Sequence, residues 1–258
     1  MSAAWAPGTR ETYGSELLVY HVYCDSRSVP ERDHCPATTL TMVTFISTCA
    51  GAYAGPTLNN YVWGVKAWHT LHGLPWVIDQ KLLTAPLTGA TRLAPPSSAR
   101  TKRESFTVPL LLLIRSALDF SSPFDAAFFA CLTTTFWSMS RLGEFTVPSL
   151  TAFSSASHVT RGHIHEKVNR EGLLVTVFSL PRTKSSPRGK DVYWAKQDGP
   201  VDPLAAIQHH FGINNPSLAD ALFAWQHPSG LRPLMRTAVV KCSDEIATQL
   251  KCTCMVCA

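Results

Sequence analysis

The sequence predicts a mainly α protein with a small antiparallel β-sheet, an α+β class. Apolar residues recur at helical spacing through residues 1–92 and again over 108–140. Residues 158–196 then switch to β-branched or alternating runs separated by turn residues. Between the two helical regions lies a Pro- and Ser-rich stretch, Leu93–Ser105, which reads as an interdomain linker.

Thr9 can cap a first helix, along which Tyr13, Leu17, Tyr20, His21 and Cys24 fall at helical spacing. A second helix is expected from about Ala37 to Ala50, with Leu40, Val43, Ile46 and Ala50 inward and Gly51 stopping it. The third is best marked: Thr57 as cap, Leu58, Tyr61, Val62, Val65, Trp68 and Leu71 on one face, and Gly73 at the end. A fourth, near Asp79–Thr91, is weakened by Pro86. Residues 1–92 therefore read as a small antiparallel helical bundle.

After the linker, helices are expected at Val108–Leu118 and Phe124–Ser140, the latter apolar nearly all round and therefore central. The runs "HVTRGHIHEKV", "GLLVTVFSLPRTK" and "GKDVYWAK" are separated by Asn169–Gly172 and by Ser185–Gly189, which predicts a three-stranded antiparallel meander. Asp202 and Pro203 then make a cap and first-turn pair for a helix through His210, followed by the short segment "LADALFAW". Nothing after Met235 shows a clear period, and the tail is expected to be irregular.

Composition narrows the class. With 45% hydrophobic and 16% charged residues over 258 positions, the chain reads as globular. The N-terminus lacks a basic region followed by an apolar core, and the apolar runs Val108–Ile114 and Ala126–Ser140 are too short and too rich in Thr and Ser to span a bilayer. The expectation is a soluble, intracellular protein with no membrane partner. Cys24, Cys35, Cys49 and Cys131 read as small buried hydrophobes. Cys252, Cys254 and Cys257 form a C-x-C-x-x-C that falls short of the four well-spaced ligands of a structural zinc site. No metal and no cofactor is expected. His163 and His165 flank Ile164 on one strand and would share a face, but no third ligand is placed beside them.

The formal net charge is +5, unevenly distributed. Residues 1–92 balance, six Lys and Arg against six Asp and Glu, whereas 158–196 holds eight Lys and Arg against three acids. Such a window serves either a polyanion or a solvated strand face. The linker adds Arg100, Lys102 and Arg103, a weak nuclear-import pattern.

The central helix leads into Ser140-Arg141-Leu142-Gly143-Glu144, placing Arg141 at its C-terminal end. Arg141 can simply stabilise the helix terminus and pair with Glu144, worth at most about 1 kcal/mol at an exposed site. Alternatively, a guanidinium oriented by a carboxylate makes a rigid bidentate clamp for phosphate. Leu180-Pro181-Arg182-Thr183-Lys184 ends the second predicted strand, with Arg188 and Lys190 beyond the turn. A lysine at a hairpin tip can reach a groove or donate a proton to a leaving oxygen, or it can decorate a solvated turn.

In this order the features resemble the tyrosine recombinase (phage integrase) superfamily, specifically the DNA breaking-rejoining proteins of basidiomycete fungi. The stretches that carry the resemblance are "PGTRETYGSELLVYHVYCD", "AGAYAGPTLNNYVWGVKAWHTLHGLPW", "DAAFFACLTTTFWSMSRLGEF", "LPRTK", "DPLAAIQHHFGINNPSLADALFAW" and "RPLMR", which cover about residues 5–236. The resemblance implies a core-binding, DNA-clamping domain over 1–92, a basic linker over 93–107, a partial integrase-like catalytic domain over 108–236 and a divergent Cys-rich tail over 237–258. It implies that Arg141 holds the scissile phosphate, that Glu144 supports it, and that Lys184 protonates the leaving 5′-hydroxyl. Arg100, Lys102, Arg103, Arg182, Arg188, Lys190 and Lys66 are the remaining candidate DNA contacts. The expected partner is double-stranded DNA, with a homo-oligomer on DNA as a further possibility and the nucleus as the compartment.

The departures from the family are equally specific. No tyrosine follows Tyr193, so the nucleophile is missing. The nearest approach to the family's His-x-x-Arg is read as His227-Pro-Ser-Gly-Leu-Arg232, with the wrong spacing and before the RPLMR match. Truncation or an altered reading frame near position 236 is the expectation. Without a nucleophile no covalent intermediate forms, and loss of a single charge-stabilising group typically costs about 100- to 1,000-fold in rate. The sequence thus points to a DNA-binding protein of the recombination and integration family that has lost catalysis. Its alternatives are a non-enzymatic protein-interaction fragment and a recombinase completed in trans by another protomer.

Overall fold

The apolar stripes of the first half form α1 (Pro7–Ser26), α2 (Thr39–Cys49), α3 (Gly55–Leu71) and α4 (Gln80–Arg92). This is a computed structural model describing residue 5 and residues 7–98 and 105–249. By internal contacts the chain divides into two units, residues 1–102 and 103–258.

In the first unit α1 packs on α3, and α4 packs on both α2 and α3. Their shared core holds Tyr20, Met42, Phe45, Leu58, Val62, Val65 and Leu83. α2 is capped by Thr38, whose hydroxyl accepts from the Thr41 amide at 3.1 Å. Its inward face is Met42, Phe45, Ile46 and Cys49, and Leu40 is 73% exposed. The stripe is therefore rotated from the expected Leu40–Val43–Ile46–Ala50 line, with the bulky Phe45 ring packed against Tyr20 and Tyr23 at 5.4 and 5.1 Å between ring centres. α3 begins two residues before Thr57, at Ala54-Gly55 with Pro56 in the first turn, so its start rests on proline's fixed φ and not on a side-chain cap. Gly73, at φ 68°, follows it as expected. α4 runs through Pro86, with the Asp79 carboxylate accepting from the Lys81 amide at 2.9 Å.

The second unit is built around α6 (Pro123–Trp137), every residue of which from Ala126 to Thr134 is buried. Ser122 caps it, accepting from the Asp125 amide. Around it lie α5 (Val108–Ser116), α8 (Pro203–Asn214) and the meander β1 (Ile164–Val168), β2 (Leu174–Leu180) and β3 (Lys190–Ala195). The sheet order is β1-β2-β3, antiparallel throughout, with Phe178 opposite Val192 and Thr176 opposite Trp194. Phe128, Phe129, Phe178, Phe223, Leu111 and Ile114 fill the core. The class is mainly α with small antiparallel sheets.

A hairpin and a C-terminal helix lie outside the sequence reading. "LADALFAW" leads into a short hairpin, β4 (Trp225–His227) and β5 (Gly230–Arg232). Residues expected to be irregular form α9 (Arg236–Gln249), which buries Val239, Ser243, Ile246 and Ala247. Its inward face mixes Ser and Ala with two β-branched residues, too weakly apolar to register as a stripe.

Candidate nucleic-acid interface

The central helix does not end at Arg141. α6 stops at Trp137, where the Ser138 hydroxyl donates back to the Thr134 carbonyl at 2.6 Å and Met139 turns the chain at φ 51°. Arg141 is the residue before a new short helix, α7 (Leu142–Phe145). Glu144 reaches back, and its carboxylate accepts from the Arg141 amide at 3.2 Å. The three-residue spacing of Arg and Glu is thus a helix-start device, with the carboxylate satisfying an otherwise orphaned amide.

Apolar packing fixes where this carboxylate sits. Phe145 meets Phe178 of β2 and Phe223 edge-on, at ring separations of 5.5 and 5.9 Å, which seats α7 against the sheet. Lys190 opens β3 opposite Leu180. With the alternation of a strand, Lys190 shares the core-side face of Val192 and Trp194, at its outer end. Its ammonium lies 4.0 Å from one Glu144 oxygen, and the Arg141 guanidinium lies 3.5 Å from the other. Glu144 is only 7% exposed at its side chain, against 67% for Arg141 and 41% for Lys190. A buried anion is therefore flanked by two cations whose heads remain open to solvent.

The loop from β2 to β3 rises from this point. Thr183 is buried, its amide donates to the Ser186 carbonyl at 3.0 Å, and the Ser186 amide donates to the Thr183 hydroxyl at 3.0 Å. Gly189, at φ 81°, passes so close to the strand end that a Cβ there would lie 2.8 Å from the Pro181 carbonyl oxygen and nearer still to that of Leu180. Arg182, Lys184 and Arg188 are exposed on this loop, and among the described residues none of them has an ion-pair partner.

The remaining candidates are placed elsewhere. Lys66 lies on α3 of the first unit, its ammonium 4.8 Å from the centre of the Trp63 ring. Arg100, Lys102 and Arg103, like Cys252, Cys254 and Cys257, lie outside the described residues. His163 precedes β1 in a 3-10 turn, where its Nδ1 accepts from the Thr160 amide at 3.1 Å, so it does not share a strand face with His165. Among the described residues no group of three or more His, Cys, Asp or Glu is arranged to hold a metal ion.

His227 and Arg232 fall on the paired strands β4 and β5, and both engage Ser229. A true His-x-x-Arg spacing does occur earlier, at His158 and Arg161. There the guanidinium donates to the Pro216 carbonyl at 2.6 Å and to the Asn215 side chain at 3.1 Å, and it lies 4.4 Å above the Phe211 ring. Arg161 thus secures the C-terminal end of α8. The Lys190–Glu144 pair is the feature that motif reading passed over, since it depends on strand register across 46 residues of sequence.

No protein-family model matches this chain, and no curated protein matches it.

Proposed function

We propose that this chain is a duplex-DNA-binding protein of the tyrosine recombinase type that does not cleave DNA by itself. The observation that carries the reading is the juxtaposition of Arg141, Glu144 and Lys190 at the root of a loop bearing Arg182, Lys184 and Arg188. Fixed cations around a buried carboxylate suit a phosphate better than a freely hydrated surface does, because the donors are held in place before the anion arrives. Exposed Lys and Arg beside them suit the neighbouring phosphates of a backbone. The ordered resemblance along the chain supports the same reading.

Chemistry is a separate matter. Tyr193, the last tyrosine of the sequence, lies on β3 in register with Val177, on the strand face opposite that of Lys190. Arg161 and Arg232 are committed to contacts within the fold. A phosphoryl group at Arg141 and the hairpin cations would thus find neither of these two arginines free to clamp it and Tyr193 facing away from Lys190.

The test compares the protein with its Lys184→Ala/Arg188→Ala/Lys190→Ala variant on a labelled duplex at low salt. The variant should bind at least tenfold more weakly, as expected for loss of several phosphate contacts. Equal affinity would remove the hairpin from the interface. A nicked suicide duplex incubated with the wild-type chain should give no covalent adduct, and an adduct would overturn the non-cleaving part of the reading.

A further inference from the structure

We infer that the loop joining α1 to α2, residues 30–38, is an acid-released latch, held on the helical bundle by hydrogen bonds in which His34 and His69 accept through unprotonated ring nitrogens. It is closed at neutral pH and opens when these rings take up protons. The device belongs to the first unit and does not depend on the DNA reading.

The partners dictate the protonation of each ring. His69 of α3 is fully buried, its Nε2 2.8 Å from the Ala37 amide and its Nδ1 2.8 Å from the Val65 carbonyl. An amide only donates and a carbonyl only accepts, so His69 is the neutral ring protonated at Nδ1. His34, buried in the loop, donates from Nε2 to the Val29 carbonyl at 2.9 Å, and its Nδ1 stands 3.1 Å from Nδ1 of His21 on α1. A single proton lies between those two nitrogens. The pair tolerates one added proton, because one ring can still donate to the other, but a second would set two N–H groups and two positive charges head to head. For His69 one proton is enough, since an imidazolium has no lone pair for the Ala37 amide.

The surroundings leave the histidines as the groups that respond near neutrality. Burial, and then His34, hold the pKa of His21 below 6.5, against the opposing pull of Asp25 and Glu31. Burial lowers His69 too, opposed by the Val65 carbonyl. The Trp68 ring of α3 packs on His21 at 4.9 Å and on His72 at 6.1 Å, and Trp76 packs on His69 at 5.1 Å. Arg32 and Asp33 of the loop pair with each other at 3.9 Å. Burial raises the Cys24 and Cys35 thiols and the Tyr20 phenol, whose hydroxyl donates to the His34 carbonyl at 3.0 Å, so these groups keep their protons. With the pKa values of the closed form depressed, its stability is complete above about 6.5 and is lost as pH falls below it.

The experiment follows the full chain by NMR at pH 7.5 and pH 5.0, reading imidazole nitrogen shifts together with amide hydrogen exchange corrected for its intrinsic pH dependence. At pH 7.5 His69 should be the neutral ring with its proton on Nδ1. Between the two pH values the protection of the Ala37 amide should fall about tenfold or more, in step with protonation of His69, while amides within α3 keep theirs. In His69→Gln, whose side-chain oxygen can accept from the Ala37 amide without titrating, that protection should stay nearly level. Unchanged protection of the wild type at pH 5.0, a fall that His69→Gln leaves intact, or loss of protection throughout α1 and α3 together with the loop would overturn the latch. Should the variant not fold, the wild-type spectra decide. A loop that opens while His34 and His69 both stay neutral, or a His69 already charged at pH 7.5, would overturn it as well.

Discussion

Glu144 stands at the start of a short helix and not beside the end of the central one, where its spacing from Arg141 suggests it lies. Its spacing from Arg141 suggests a pair closing the central helix, yet the chain leaves α6 three residues before Ser140 ends the apolar run and starts again at Leu142. The break was hidden because it rests on Met139 at φ 51°, a conformation that few non-glycine residues adopt and that a methionine does not advertise. His210 was similarly opaque. It stands at the expected end of the helix opened by Asp202, yet its ring is fully buried, donating from Nε2 to the Leu222 carbonyl and accepting at Nδ1 from Asn214. Burial, helped by the nearby Arg161, pushes its pKa from 6.5 down to about 4. The folded form is the neutral ring, so the stability tied to it is complete above about 6.5 and is lost as pH falls toward 4. The loss amounts to something on the order of 3 kcal/mol. Urea unfolding at pH 7.5 and pH 4.5 should show this fall, with a smaller fall in His210→Gln; equal slopes would show that another group dominates.

At the scale of elements, the meander and the helices with strong apolar stripes were legible, because period and punctuation agree in them. β2 carries Val175, Val177 and Phe178 between two turn signals, and α6 is apolar on every side. The β4–β5 hairpin was not legible, having three residues a strand, nor was α9, whose inward positions include Ser243. The β2–β3 loop joins local structure to the site. Its last turn depends on Gly189, where any side chain would press on the Leu180 and Pro181 carbonyls in a left-handed backbone. Gly189→Ala should therefore cost about 2 kcal/mol of stability in chemical denaturation. By displacing Lys190 it should also weaken DNA binding in the fraction that remains folded. An alanine variant with unchanged stability would mean that the strand end can shift freely, and Lys190 would then not be fixed beside Glu144.

For the molecule as a whole, the sequence shows that charge is concentrated, and the fold shows what part of that charge is organised. The eight Lys and Arg of residues 158–196 do not form one equivalent patch. Arg161 is occupied inside the fold, Lys190 is tied to Glu144, and Arg182, Lys184 and Arg188 are exposed on one loop with no ion-pair partner among the described residues. Composition cannot make that distinction, since it rests on strand register and on which helix end faces the sheet. The proposed duplex binding rests on those placements and on the order of features along the chain. It is tested most directly by the salt dependence of affinity for labelled duplex, measured by fluorescence anisotropy in the wild type and in Lys184→Ala/Arg188→Ala/Lys190→Ala. Phosphate neutralisation releases counterions, so log K should fall steeply and linearly with log salt, and the variant's slope should be shallower by up to about 2.7, roughly 0.9 for each cation removed. A wild-type affinity indifferent to salt, or a slope that the variant leaves unchanged, would contradict it.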